Sequence, residues 1–291
     1  MRQHRPVQTY VVGEIGTNHN GELSRAFELI DSIADAGCDA VKFQKRTPLI
    51  CVPPHQRNVP RSTPWGTISY LEYRERLEFH YSEYSQIAKH CDRRGIAWFG
   101  SAWDIPSLEF LEKFDPPFHK IPSACLTDDD LVKAAARLQR SLLLSTGMST
   151  FAEIEHAVSL TDTSRITLLH CTAAYPTPHS QLNLRMIPEL RHSYRVPVGY
   201  SGHEEDLTPT YLALALGACY VERHVTFDKK AWGTDHHFSL LPEELKTLVR
   251  GIRDVEQWLG DGKKRVYNSE LPALRRLRRV QVRETTAVDH K

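Results

Sequence analysis

Glu14, Lys42, Gln44, Ser101, Lys120, Ser123, Ser145, His170, His203 and His224 share one placement: each stands at or near the end of a short apolar run. The runs read YVVGEIG, AVKFQK, IAWFGSAWD, FHKIPS, LLLSTGM, ITLLHCT, VPVGYSGH and CYVERH. Lys42 and Lys120 suit an anionic group, His203 and His224 suit a shared metal ion, and Glu14 and Asp235 can grip hydroxyls. Lys42 lies inside an apolar stretch, between Val41 and Phe43, and a buried lysine needs an anion. Lys120, between His119 and Ile121, follows the same logic. With fifteen histidines in the chain, a lone one signals little, and His19 and His170 suit a backbone hydrogen bond at a strand end equally well. The serines count only as a set, since a Ser at a strand-to-helix junction is often an N-cap.

Side chains from eight separate runs converge only if the runs lie side by side and point the same way. Continuous Val/Ile/Leu/Phe strands indicate a parallel sheet with helices on both faces. Eight of them, with helices between, predict an α/β fold of the (β/α)8 TIM-barrel type, which collects reacting groups at the C-terminal rim of its strands. Leu23, Phe27, Ile30 and Ala34 mark a first amphipathic helix ending at Gly37. Later helices are expected to begin near Pro106, Asp128, Thr150, Asp206 and Pro242, each close to a cap or first-turn signal. Leu245, Leu248, Val249, Ile252, Val255 and Leu259 make the apolar face of the eighth helix, over residues 242–259. Residues 45–81 break the rhythm. This Pro/Arg-rich insertion after the second strand is predicted to be a lid. The barrel domain is expected to span 1–262, followed by a basic tail, 263–291, too short for a second globular domain.

Net charge is +1, with Lys+Arg 37 against Asp+Glu 36, so nothing global draws the protein to nucleic acid or membrane; its partners are expected to be small molecules. The six cysteines form no CxxC pair and are expected to be reduced and buried. The first residues lack an apolar signal core, and no stretch approaches the roughly 20 apolar residues of a membrane span. The expected location is cytoplasmic.

EIGTNHNG, AVKFQK, HKIPSA, LLLSTGMST, LLHCTAAYPTP, PVGYSGHE, VERHVTFD and GTDHHFSL, in order from about Tyr10 to Leu259, resemble the sialic acid synthase family. The resemblance implies condensation of phosphoenolpyruvate with an aldose to give a nonulosonic, 2-keto-3-deoxy acid, phosphate leaving with C–O cleavage. The aldose would be N-acetylmannosamine-like, mannose-like or a 6-phosphate of either. The resemblance implies that Lys42 and Lys120 carry the charge of phosphoenolpyruvate, with Ser101, Ser123, Ser145, Ser201 and Tyr175 around the same ligand. It implies a divalent metal ion, Mn2+ or Mg2+, on His203 and His224, and contacts from Glu14, Gln44 and Asp235 to the sugar. Glu222, two residues before His224 on the same strand face, is expected to hold an imidazole or a water on the metal.

Family members commonly carry an antifreeze-like domain that reaches across a homodimer and lends an arginine to the partner's sugar site. The sequence is expected to lack such a domain, so that either the acceptor needs no such arginine or ALRRLRR (Arg275, Arg276, Arg278, Arg279) substitutes for it. Ala173 and Gly202 stand where bacterial members often have Asn and Asp. GYSGHE and KFQK match the animal branch, whose acceptor is 6-phosphorylated, so Lys45, Arg46, Arg57 and Arg61 of the lid are candidates for a sugar phosphate. Two other readings remain: a phosphoenolpyruvate aldol-type synthase with a different aldehyde, and a non-catalytic sugar-binding barrel. The second gives no reason for two metal histidines.

Overall fold

All eight apolar runs fold as parallel strands in the computed structural model, which describes residues 8–280. The strands are β1 (Tyr10–Gly16), β2 (Ala40–Lys45), β3 (Pro60–Thr63), β4 (Gly66–Ser69), β5 (Ala97–Ala102), β6 (Phe118–Ile121), β7 (Ser141–Ser145), β8 (Ile166–His170), β9 (Val198–Gly202) and β10 (Tyr220–His224). β3 and β4 form a separate antiparallel hairpin, and the other eight close into a barrel in which β10 pairs with β1.

Side chains alternate across a strand, so each barrel strand has one face inside and one against the helices. Val12, Ala40, Phe99, Leu143, Leu169 and Tyr220 pack together as the floor of the interior. Two residues further along the same strands come Glu14, Lys42, Ser101, Ser145, Cys171 and Glu222, and Lys120 stands in register with Ser101. Alternation alone therefore stacks a polar tier on an apolar one. The outward residues, among them Ile15, Val41, Phe43 and Val221, join the main core with the helices. Gly13 belongs to this outer face because a Cβ there would lie 2.6 Å from Ile33, so only glycine lets the first helix come this close.

That helix, α1 (Leu23–Asp35), buries Ala26, Leu29, Ile30 and Ile33, with Leu23, Phe27 and Ala34 on its half-buried flank. The insertion after β2 holds α2 (Pro48–Cys51), the β3–β4 hairpin and α3 (Tyr70–Arg76) before α4 (Tyr81–Arg94) rejoins the barrel. Trp65 and Tyr73 pack edge-on against Trp232, at 5.7 and 5.3 Å between ring centroids. These contacts fasten the insertion to the loop after β10, beside Asp235. Asp104, Asp128 and Thr150 cap α5 (Ile105–Glu112), α6 (Asp129–Arg137) and α7 (Phe151–Ser159) through side-chain hydrogen bonds. α8 (Met186–Tyr194) is not among the helices expected from the sequence; its Pro188 sits in the first turn, where a proline removes no helical hydrogen bond. α9 (Thr208–Ala215) starts two residues after Asp206, and α10 (Pro242–Leu259) matches its expected bounds.

Beyond α10 come a 3-10 turn (Asn268–Glu270) and α11 (Leu271–Leu277); no residue of 261–280 is buried, and residues 281–291 lie outside the described part. Arg275, Arg276, Arg278 and Arg279 are exposed, and none lines the central cavity of its own chain. No helix among the described residues is long and apolar enough to cross a membrane. All six thiols are free.

On the outer side of β10, fully buried Arg223 pairs with Glu204 at 2.9 Å and also donates to Asp206 O and Thr210 Oγ1. Tyr200 OH donates to the other Glu204 oxygen at 2.8 Å. The cluster holds the turn that carries His203. Arg223→Met strands a buried carboxylate and is expected to lower unfolding free energy by about 3–5 kcal/mol. Urea denaturation measures it, and a loss under about 1 kcal/mol would show that the pair does not anchor the turn.

Candidate active site

Glu14, Lys42, Gln44, Ser101, Lys120, Ser123, Ser145, Tyr175, Ser201, His203 and His224 line one cavity of about 220 Å3 at the C-terminal mouth of the barrel. Of the side chains expected to contact phosphoenolpyruvate, the metal or the sugar as catalytic or binding groups of the barrel strands and rim, Asp235 lies off its wall, as do the backbone-bonded His19 and His170. At the base is a buried ion quartet. Lys42 Nζ is 2.8 Å from Glu14 Oε2 and 3.5 Å from Glu222 Oε1, and it donates to Ser101 Oγ at 2.8 Å. Lys120 Nζ is 2.6 Å from Glu222 Oε1. Ser201 Oγ donates to that same oxygen at 3.3 Å, and Tyr220 OH to Glu222 Oε2 at 2.8 Å.

Glu222 therefore serves the lysines, and this corrects the expectation that it holds an imidazole or a water on a metal. The signal was present in the alternation from Tyr220, which sends Glu222 inward where two ammonium groups need a counter-charge.

The two carboxyls are pushed apart. Burial raises the Glu14 pKa, more than Lys42 offsets, with the Glu222 charge adding to it. For Glu222, burial is overcome by Lys120 and Lys42, which hold it well below the usual carboxylate range. The lysines divide likewise. Burial pulls Lys42 down, yet Glu14 and Glu222 outweigh it and its pKa rises; for Lys120 burial prevails and the pKa falls. Lys120 is thus the cation short of negative charge, the one an incoming anion would stabilise most.

Above the quartet His203 and His224 face each other with ring centroids 5.7 Å apart. His203 Nδ1 lies 3.0 Å from Thr172 O, so it carries the proton and leaves Nε2 a lone pair. His224 Nδ1 is buried without a hydrogen-bond partner. Burial brings both pKa values down to about 4, the neighbouring imidazole adding to the effect on His203. Both rings are neutral at physiological pH, the form that ligates a metal. No group of three or more His, Cys, Asp or Glu suited to a metal occurs among the described residues. A divalent ion here would take two imidazoles and complete its shell with substrate or water oxygens.

Ser145 Oγ is also buried without a hydrogen bond. Unsatisfied atoms of this kind cost about 1–3 kcal/mol each, and a bound ligand satisfies them. Gln44 Nε2 donates to Glu14 Oε1 at 3.0 Å, and Ser123 Oγ sits 3.1 Å from both Cys171 Sγ and Gly147 N. Asp235 accepts from Thr17 and Thr234 hydroxyls. Burial raises its pKa, but His224, the Thr234 hydrogen bond and the charges of Arg46 and Arg74 together bring it below the usual value.

Trp103, Met148 and Cys171 line the cavity without having been singled out. Trp103 and Cys171 each stand two residues past an inward serine or leucine, so strand periodicity contained the signal; Met148 lies on a loop and left none. His19 accepts from Gly21 N and stacks on Phe79 at 4.3 Å, and His170 Nε2 bonds Leu182 O. Both are backbone-bound rim histidines. Of the lid cations, Lys45 pairs with Glu78, Arg57 bonds Leu49 O and Val52 O, and Arg61 lies over the Tyr70 ring. Of these four candidates, Arg46 alone meets residues that line the cavity, Gln44 and Trp103.

Burial takes His19 to about 3 and His203 and His224 to about 4, from 6.5 in an unfolded chain. Below pH 6.5 the unfolded state then binds protons that the folded state refuses, so stability present above 6.5 is lost as pH falls toward 4. With a chelator present, Tm should decline steadily across this window; a Tm flat from pH 6.5 to 4 would contradict the buried neutral imidazoles.

A closed parallel barrel with a charged, ligand-sized cavity among its βα loops defines a (β/α)8 enzyme scaffold. The chain belongs to the NeuB family, whose model matches residues 29–264. An N,N'-diacetyllegionaminic acid synthase of Campylobacter jejuni is 36% identical over 270 residues, 90% of this chain and 81% of that protein. An N-acetylneuraminate-9-phosphate synthase of Drosophila melanogaster is 38% identical over 255 residues, covering 84% and 67%. An N-acetylneuraminic acid (sialic acid) synthetase from Leptospira borgpetersenii, solved with citrate, superposes with a TM-score of 0.84 at 30% identity over 94% of this chain and 93% of that one. A 3-deoxy-D-arabino-heptulosonate 7-phosphate synthase from Thermotoga maritima, at 14% identity and a TM-score of 0.67, shares the fold.

Proposed function

We propose that this protein condenses phosphoenolpyruvate with an aldose to form a nonulosonic acid and inorganic phosphate. The observation that carries the reading is the juxtaposition, in one cavity, of the Lys42–Lys120 pair with two neutral facing imidazoles. Membership of a family whose relatives bear the names of sugar-acid synthases supports it.

Phosphoenolpyruvate carries a carboxylate and a phosphate on a three-carbon frame, so cations and hydroxyl donors must meet it from several sides. Lys120, short of negative charge, takes one anionic group, and Lys42 and the Ser123 and Ser145 hydroxyls orient the rest. Held this way, the enol carbon faces the imidazoles, and orientation of this kind is worth several kcal/mol of barrier, on the order of 7–11 at best. His203 and His224 would hold a divalent ion, and imidazole ligands favour manganese over magnesium. When bound, such an ion polarises the acceptor's aldehyde oxygen.

The enol carbon attacks the aldehyde carbon and a C–C bond forms. Water then adds to the former enol carbon, and phosphate departs as the C–O bond breaks. Glu14, with its raised pKa, holds an acceptor hydroxyl and can carry a proton; Lys42 fixes its Oε2 and Gln44 its Oε1. Asp235 orients acceptor hydroxyls from the loop side. The same reading makes the enzyme a cytoplasmic homodimer, with the free thiols supporting a reducing compartment.

Phosphate release from phosphoenolpyruvate is expected to require both an aldose and a divalent ion. Turnover that survives a chelator would remove the ion from the scheme. Sugar binding with no phosphate release from any aldose would favour the non-catalytic barrel.

A further inference from the structure

Resting on the condensation reading for its acceptor, we propose that Arg46 and Arg74 form a second anion-binding subsite at the mouth of the cavity, built for an aldose bearing a phosphate or carboxylate at the end remote from its aldehyde. Lys42, Gln44 and Arg46 alternate along β2 and its continuation, so all three face inward, and Arg46 lies about 13 Å up the strand from Lys42. Arg46 is 9% exposed, its guanidinium stacks 3.8 Å from the centre of the Trp103 ring, and it donates to Gln44 Oε1. Its Nη1 is buried with no partner.

Arg74, on α3 of the lid, is 8% exposed and makes no ion pair or side-chain hydrogen bond to any described residue. α3 packs against α2, which begins two residues past Arg46, so the lid brings Arg74 to the same side of the barrel mouth. After burial, the charge of Arg74 is the main influence lowering the Arg46 pKa, to about 10, and Asp235 is near both without pairing with either. Two buried cations at one side of the mouth, without an ion-pair partner among the described residues, are costly, and an anion relieves the cost. Guanidinium forks match the oxygens of a phosphate or carboxylate.

The position identifies which substrate the anion belongs to. A Cβ on Gly16 would lie 3.1 Å from His224 Cε1 and 3.2 Å from Gln44 Nε2, so the imidazole end and Gln44 adjoin, and Gln44 is bonded to Arg46. An acceptor with its aldehyde at the imidazoles and its hydroxyls along Glu14 and Gln44 reaches Arg46 and Arg74 with its far end. Lys120 and Ser123 serve the other substrate. Of the other lid cations, Lys45 and Arg76 are paired with Glu78 and Glu72, Arg57 is bonded to the Leu49 and Val52 carbonyls, and Arg61 lies over the Tyr70 ring.

Calorimetry on the full chain with saturating phosphoenolpyruvate, which occupies the lysine end, tests this with probes that cannot condense. The probes are N-acetylmannosaminitol, its 6-phosphate, and the analogue carrying a carboxylate at carbon 6. One anionic probe should bind roughly 10- to 100-fold more tightly than the neutral alditol, and which one does so separates phosphate from carboxylate. Arg46→Gln and Arg74→Gln should remove that advantage, and Arg74→Lys should keep part of it. Equal binding of all three probes to the unmodified protein, which depends on no variant folding, overturns the subsite; so does a preference that survives in both Gln variants. Neutral aldoses that release phosphate alongside equal probe binding refute the subsite alone. An anion preference without phosphate release from any aldose, charged or neutral, refutes the condensation reading and leaves the subsite standing.

Discussion

Lys120→Met is expected to lower kcat/KM for phosphoenolpyruvate by roughly 100- to 1,000-fold or more, the scale seen when one preorganised donor to a reacting anion is removed. Met keeps the bulk of the stem and deletes the charge. The stability effect should be small for a change in a buried ion cluster. Burial already disfavours the charged form of Lys120, and Glu222 keeps Lys42, Ser201 and Tyr220 as partners. Lys42→Met should behave differently. It removes the partner of Glu14 and the second cation of Glu222, from a group whose charged state the fold favours. A loss of about 3–5 kcal/mol is expected on top of the catalytic defect. Urea denaturation beside steady-state kinetics separates the two lysines. A stability cost for Lys120→Met equal to or above that of Lys42→Met would contradict the charge distribution described here.

His203→Ala and His224→Ala are each expected to abolish turnover, with losses of roughly 1,000-fold or more, while the fold survives. The His203 ring is held by one backbone hydrogen bond, and His224 carries a buried nitrogen with no partner, so neither anchors the core. The effect should track metal. Manganese binding, followed by electron paramagnetic resonance, should weaken strongly in each variant in the absence of any substrate. Unchanged kinetics or unchanged manganese affinity in either variant would reject that histidine as a ligand.

The barrel was legible because each strand is buried on both faces and so reads as an unbroken apolar run, and because alternation from Val12, Ala40, Phe99 and Tyr220 assigns the next tier to the interior. That rule alone places Glu14, Lys42, Ser101 and Glu222 together. The role of Glu222 was not legible, since it depends on which of several inward neighbours the carboxylate meets; a charge count over the polar tier would have indicated it. Arg74 left no local signal. It sits on an amphipathic lid helix like any surface arginine, and only the docking of Trp65 and Tyr73 on Trp232 brings that helix back over the mouth. α8 carries no side-chain N-cap and has a proline in its first turn, so its start has no local cap signal.

The central claim is that the cavity joins the enol carbon of phosphoenolpyruvate to an aldose and releases phosphate by breaking the C–O bond. Phosphoenolpyruvate labelled with heavy oxygen at the bridging position, incubated with the protein, manganese and a panel of free and phosphorylated N-acetylhexosamines, tests it most directly by mass spectrometry of both products. The account predicts aldose-dependent turnover with the label in inorganic phosphate. Label retained in the keto acid, or phosphate released at the same rate without any aldose, would contradict it.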